Sequence, residues 1–505
     1  MVGAGEFGTP LRTRRPGGFP LQISAAQPAG LSTLFFVELW ERFSYYGMRA
    51  ILVFFMVAPV AEGGLGFSTV QAALFYGNYT MAVYLLALPG GFMADRFIGA
   101  RNAVLIGGVI IALGHFALAW GGMTAFYAGV VLVSLGTGLF KPSISAMVGE
   151  LYEADDPRRD AGFTYFYMGV NIGGLLAPLV TGFLAQSAAF KGWLASLGFD
   201  PAASWHWGFA AAGVGMTIAL LLFAVRTKKF AGLGEAPPLR ATGWLEVAAM
   251  FIATGGLLAL LLLSDQPGLE WLRTLLIIVP LVAIAYFSRR EDLEAGRIAA
   301  IFVFFVAAMV FWSAFEQAGL SIALFSDRLT DNVLLGWTIP SAWYQSLNPM
   351  FVILLAPLFV VAWTALGVRQ PSTPIKFAMA LGLLAASFLV MVPAALATAA
   401  APASPLWLVV YFLLITMGEL CLSPVGLSAM TKLAPPRLVG LMLGVWFLAA
   451  AFGNKLAGVF GTGFTSDDPA GLASYFASFA AFGGAAAIGM LALTPWLKRQ
   501  MAGVR

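Results

Sequence analysis

The chain alternates between long apolar runs and short polar clusters. Cutting it at Gly, Pro and charged clusters gives fourteen hydrophobic segments, near 31–60, 69–96, 101–121, 125–152, 158–187, 205–225, 241–263, 270–288, 298–326, 339–367, 375–396, 405–432, 436–461 and 470–497. A helix needs roughly 20 apolar residues to cross a bilayer, and the pattern therefore predicts an all-α polytopic membrane protein with fourteen transmembrane helices. The most charged interior stretches, RTKKFAGLGEAPPLR (226–240) and SRREDLEAGR (288–297), flank a plainer helix pair whose main polar feature is Glu246. The expected organisation is a tail at 1–30, a six-helix bundle at 31–225, a linker with a two-helix insert at 226–297, a second six-helix bundle at 298–497, and a short tail at 498–505.

Composition narrows the class. Of 505 residues, 60% are hydrophobic and 10% are charged, with a mean hydropathy of +0.87. Soluble domains carry about 25% charged residues, which excludes a soluble enzyme. The single cysteine, Cys421, permits no intramolecular disulfide. No P-loop, H-E-x-x-H or paired-cysteine metal spacing occurs, which argues against ATP hydrolysis and a bound metal and weakens a membrane-embedded hydrolase as a rival. Charge sets the orientation. With the N-terminus inside, twenty-one Lys and Arg fall on the cytoplasmic side and three (Lys191, Arg273 and Arg328) outside. That asymmetry follows the positive-inside rule and predicts that both termini are cytoplasmic. The tail carries Arg12, Arg14 and Arg15 without an apolar stretch and is not expected to be a cleaved signal peptide.

Ionisable residues inside spans are expensive and face a cavity or each other. ELWERFSYYGMRA (38–50) places Glu38, Glu41, Arg42 and Arg49 on the first span. At 100° per residue these and Tyr45 share an arc of roughly 100°. Further acids lie at Glu316 and Glu419, and further cations at Lys141 and Lys455. Arg49 and Lys141 belong to the first half, Glu316 and Glu419 to the second, so a cleft between the halves would have walls of opposite charge. The plain alternative is static ion pairing that only holds helices together. His115 and His206 read as structural.

Two six-helix halves resemble the major facilitator superfamily, in which substrate is held midway between them. GFMADRFIGAR (91–101) fits that superfamily's G-x-x-x-D-R loop, with Gly91 allowing helix approach and Asp95 and Arg96 pairing as a gating element. ELWERFSYYG is more specific. It resembles the E-x-x-E-R-F-x-Y-Y-G signature of the proton-dependent oligopeptide transporter family, and further stretches follow in the family's order: GTGLFKPSISAMVGELY (136–152), FYMGVNIGGLLAP (166–178), FWSAFEQAGLS (311–321), QSLNPMF (345–351) and GELCLSPVGLSAMTKLAP (418–435). Ser143 and Gly174 depart from residues common there, and the second helix lacks the histidine of animal members.

The resemblance implies proton-coupled symport of di- and tripeptides into a bacterial cell by alternating access across the cytoplasmic membrane. No cofactor beyond the proton gradient, no nucleic acid partner and a working monomer are expected. Glu38, Glu41, Arg42 and Glu316 would carry proton coupling. Arg49, Tyr46, Tyr84, Lys141, Asn171, Asn348, Glu419, Ser423 and Trp446 would bind substrate, with Arg49 and Lys141 at its carboxylate and Glu419 at its amine. Gating would fall to Asp95 and Arg96 and to the pairs Arg49–Glu316 and Lys141–Glu419. A carrier of nitrate or another small anion is the alternative within the family, and a membrane enzyme or scaffold the alternative outside it.

Overall fold

The computed structural model describes residues 27–153, 156–237, 243–263, 295–334, 336–433 and 439–501. The expected helix at 270–288 lies outside the described residues, as do Arg12, Arg14, Arg15, Arg240, Arg273, Arg289, Arg290, Arg437 and Arg505 from the charge tally. The first half comprises α1 (Leu31–Val57), α2 (Thr69–Leu85), α3 (Ala87–Met93), α4 (Ala100–Trp120), α5 (Met123–Glu150), α6 (Arg159–Gln186), α7 (Ala188–Ser196) and α8 (Ser204–Val225). Helix α9 (Gly243–Leu263) belongs to the insert. The second half comprises α10 (Ala295–Phe315), α11 (Ser321–Arg328), α12 (Leu347–Leu366), α13 (Thr373–Ala397), α14 (Leu406–Leu433), α15 (Val439–Gly461) and α16 (Pro469–Gln500).

Local chemistry sets several ends. Ser68 caps α2 in a reciprocal box, its hydroxyl accepting from the Gln71 N–H at 3.2 Å while the Gln71 amide oxygen accepts from the Ser68 N–H at 3.0 Å. Asp468 caps α16 ahead of Pro469, which needs no backbone partner at the first helical position. In the turn before α6, Arg158 donates to Asp156 through its backbone and guanidinium, and these hydrogen bonds hold the Asp156 carboxyl below its usual range.

Eleven described segments are long and apolar enough to cross a membrane. The α1 helix is not among them, because four ionisable side chains interrupt its apolar run, yet Glu38, Glu41 and Arg42 are buried within the protein. Two expected helices are broken. The second span divides into α2, α3 and a π-helical turn at Ala94–Ile98. The ninth, expected as one helix over 298–326, tightens into a 3-10 turn at Glu316–Gly319 before α11 resumes. Gln317 anchors that turn: its side-chain N–H donates to the Ala457 carbonyl at 2.9 Å, and its amide oxygen accepts from the Ser321 hydroxyl at 2.9 Å. Helix α7 and a hairpin pairing Val333–Leu334 with Trp337–Thr338 were not expected.

Within the first half, α4 packs on α5 and α1 packs on α6 and α8; within the second, α13 packs on α14 and α16, and α10 on α15. These are the two six-helix bundles of the major facilitator fold. The bundles meet along two seams, α2 against α15 and α6 against α12 with its preceding 3-10 turn, Ser341–Ser346. Backbones come close at the first seam: a Cβ on Gly77 would lie 2.8 Å from the Gly458 Cα. Small residues at a membrane helix crossing permit such packing. Helix α9 lies against α2 and α3, so this part of the insert leans on the first bundle.

Candidate transport pathway

Two levels along one face of α1 reach different partners. Arg42 serves a local cluster: its Nε donates to Glu41 and lies 3.1 Å from a Glu38 carboxylate oxygen. Two buried acids thus share one buried guanidinium, and one oxygen of each acid has no hydrogen-bond partner among the described residues. With both acids ionised the triad carries one net negative charge, and a single proton neutralises it.

Two turns further along, Arg49 crosses to the other bundle. Its terminal nitrogen donates to Glu316 at 2.6 Å and its Nε donates to the Tyr76 hydroxyl at 2.6 Å. Tyr76 donates in turn to Glu316 at 3.4 Å. Helices α1, α2 and the 316–319 turn are thereby tied together, with 12% of the Arg49 side chain and 4% of Glu316 accessible. Tyr46 lies edge-on to Tyr45, with ring centroids 5.3 Å apart, and its ring is 6.0 Å from the Arg49 guanidinium. A Cβ on Gly174 would come within 3.2 Å of the Tyr46 ring, so the glycine at this position leaves that ring room.

The opposite end of the interface is open. A cavity of about 1470 Å³ is lined by Tyr167 of the first bundle and by Glu419, Ser423 and Trp446 of the second, and runs to the ends of α12, α14 and α16. Glu419 is held at its inner limit by Asn348, which donates to it at 2.9 Å and to the Thr416 hydroxyl at 3.0 Å. The Ser423 hydroxyl has no protein partner among the described residues.

Other expected residues are placed differently. The Lys141 ammonium lies 4.3 Å from the centroid of the Tyr84 ring and forms no ion pair with Glu419 among the described residues. Asn171 donates to the Tyr167 carbonyl of its own helix at 3.0 Å. Asp95 and Arg96 do not pair with each other. Both are exposed on the π-helical turn, which points neighbouring side chains apart, and Arg96 instead lies over Phe92 at 5.4 Å. The close approach expected at Gly91 falls on Gly90, where a Cβ would sit 2.1 Å from the Gly138 carbonyl. His115 is buried, with its Nε2 2.6 Å from the Ser44 hydroxyl of α1.

Several contacts between the bundles were not expected from the residue pattern, although it had singled out Lys455 and the QSLNPMF stretch. On the second seam, Gln345 donates to the Ala50 carbonyl at 3.0 Å, Trp343 to that of Leu179 at 3.0 Å, and Ser346 to that of Leu175 at 2.8 Å. The Ala342 N–H donates to Gln186 at 2.9 Å. On the first seam, Lys455 donates to Asn78. Their partners are largely backbone carbonyls, which no motif records.

A profile described as the POT family matches residues 101–471. The chain belongs to that family. It is therefore a membrane transporter rather than an enzyme. Members similar to it include a protein named "Peptide transporter YePEPT" from Yersinia enterocolitica, 40% identical, with 89% of this chain and 90% of that one aligned. A "Di-/tripeptide transporter" from Lactococcus lactis subsp. cremoris is 39% identical over 84% of this chain and 87% of its own. Among solved structures, a mutant peptide transporter POT in complex with alafosfalin superposes with a TM-score of 0.84 at 38% identity, covering 94% of this chain and 96% of that one.

Proposed function

We propose that this POT family member imports di- and tripeptides together with protons, acting as a monomer in a bacterial cytoplasmic membrane with both termini inside. The observation that carries the reading is the asymmetry of the interface. The bundles are joined through Arg49, Glu316 and Tyr76 at one end, while the cavity beneath Glu419 opens at the other. With the positive-inside orientation the open end is cytoplasmic, and the geometry is that of an inward-facing carrier. Peptide as substrate is supported by the names of the relatives and by the opposed charges of the two walls. Nothing in the comparisons favours nitrate. A simple anion would also leave Glu419 buried without a cationic partner, which is costly.

In this reading residues 31–225 and 298–497 rock about the central site, with the segment between them as linker and insert. Arg49 and Lys141 receive the peptide carboxylate. Glu419, with Asn348 and Asn171 near it, receives the ammonium. Tyr46, Tyr84, Ser423 and Trp446 surround the side chains. Protonation of Glu316 would release Arg49 and free that end to open, while the Glu38–Glu41–Arg42 triad holds and passes the proton. Asp95 and Arg96 act at the cytoplasmic turn, and Lys141 and Glu419 are the pair expected to approach when the cavity closes. Uptake of a radiolabelled dipeptide into proteoliposomes under an inward proton gradient tests the assignment. Competition by dipeptides, and none by nitrate, is the expected result; the reverse would install the anion-carrier reading.

A further inference from the structure

The cavity changes character towards its mouth. Four cations line it there: Arg369 in the turn after α12, Lys376 in the first turn of α13, Lys432 in the last turn of α14 and Lys498 near the end of α16. Lys376 is 9% exposed, and its ammonium donates to Gln370 at 2.9 Å while lying 4.6 Å from the Trp363 ring centroid. The acid among the described residues that line the same cavity, Glu419, stands thirteen residues before Lys432 on α14. That is about 20 Å along a helix rising 1.5 Å per residue, so Glu419 lies well away from the mouth. The wall behind the cations is apolar and is formed by Phe359, Val360 and Trp363 of α12. The bilayer side of that helix is bare, with Leu358 62% and Val361 66% exposed.

A cationic rim above an apolar wall that continues to the lipid-facing surface suits an anion carrying a hydrocarbon tail. We propose that the mouth of this cavity binds an anionic phospholipid, with the phosphate on Arg369, Lys376, Lys432 and Lys498 and an acyl chain along α12. Basic pockets between membrane helices favour such headgroups, and charge-assisted hydrogen bonds to phosphate oxygens hold them in place. The inference rests on the cavity itself and does not depend on which solute is carried.

Native mass spectrometry of the purified full-length protein, titrated with phosphatidylglycerol or with phosphatidylcholine of the same chains, tests it. Phosphatidylglycerol should be retained about ten-fold more tightly. The preference should disappear in the combined variant Arg369→Gln, Lys376→Gln and Lys432→Gln, and excess inorganic phosphate should not displace the lipid. Lys498→Gln, at an exposed helix end, should weaken retention and serves if the combined variant does not fold. Equal retention of both lipids, or a preference untouched in these variants, overturns the proposal. Displacement of the lipid by phosphate overturns it too and leaves a site for free oxyanions.

Discussion

The two ends of the interface between the bundles are built from different material. At the Arg49 end, ion pair, tyrosine and backbone hydrogen bonds combine: Arg49 with Glu316 and Tyr76, and Gln345, Trp343 and Ser346 with carbonyls of α1 and α6. At the Glu419 end the bundles stand apart around a cavity, and the buried acid there is bonded within its own bundle, to Asn348. In the proposed cycle the contacts at one end break as the other end closes. The difference also separates their chemistry. In the proposed reading the proton acts at the closed end and the peptide binds at the open one.

Breaking the ion pair should have the largest effect. Glu316→Ala leaves Arg49 buried and uncompensated, and loss of one partner of a buried pair costs about 3–5 kcal/mol. Uptake should be abolished, and cysteine-accessibility labelling at the Arg49 end should rise. The exchange Arg49→Glu with Glu316→Arg should recover part of the closed state, and purely additive losses would show that the two residues act separately. Next come Glu38→Gln and Glu41→Gln. Each should stop gradient-driven uptake while sparing peptide counterflow, which needs no net proton movement. Equal loss in both assays would reduce the triad to a structural role.

Smaller effects should follow from the hydrogen bonds of the second seam. Removing the side-chain donor in Gln345→Ala or Ser346→Ala should each weaken the closed end by about 1 kcal/mol, the net worth of an ordinary hydrogen bond. Labelling at that end should rise accordingly, and Ser423→Ala, at the open end, should not change it. The smallest effect concerns the α5–α6 turn. Asp156→Asn should lower thermal stability slightly at neutral pH. Because the folded-state carboxyl of Asp156 lies below its usual range, its contribution is present above the ordinary carboxylate range and fades as pH falls through the lowered value. The variant and parent should therefore converge in acid.

These contrasts show which parts of the molecule were readable in its residues. Charge inside an apolar run is conspicuous, so Glu38, Glu41, Arg42, Arg49, Glu316 and Glu419 stood out on cost alone. The opposite signs of Arg49 and Glu316 indicated their contact. The break at Glu316–Gly319 was hidden, because the apolar pattern runs through it and the stabilising partners of Gln317 come from elsewhere in the second bundle. Tyr76 was missed for a similar reason: a tyrosine on a membrane helix resembles packing until its hydroxyl is placed beside Arg49. Lys141 and Glu419 had the right chemistry for a pair, but no ion pair joins them among the described residues, and the proposed reading places their approach in the state with the cavity closed. Asp95 and Arg96 are neighbours in the chain, yet the π-helical turn separates their side chains.

In the proposed cycle the two ends open and close in opposition around one peptide site. Paired spin labels measure this directly, with one pair at Val60 and Val333 near the Arg49 end and another at Asp160 and Val368 near the cavity mouth; all four residues are exposed. Double electron–electron resonance in lipid, with a dipeptide added at acid pH, should lengthen the first distance and shorten the second. Distances that move in the same direction, or that stay fixed while a labelled dipeptide binds, would rule out opposed movement of the two ends.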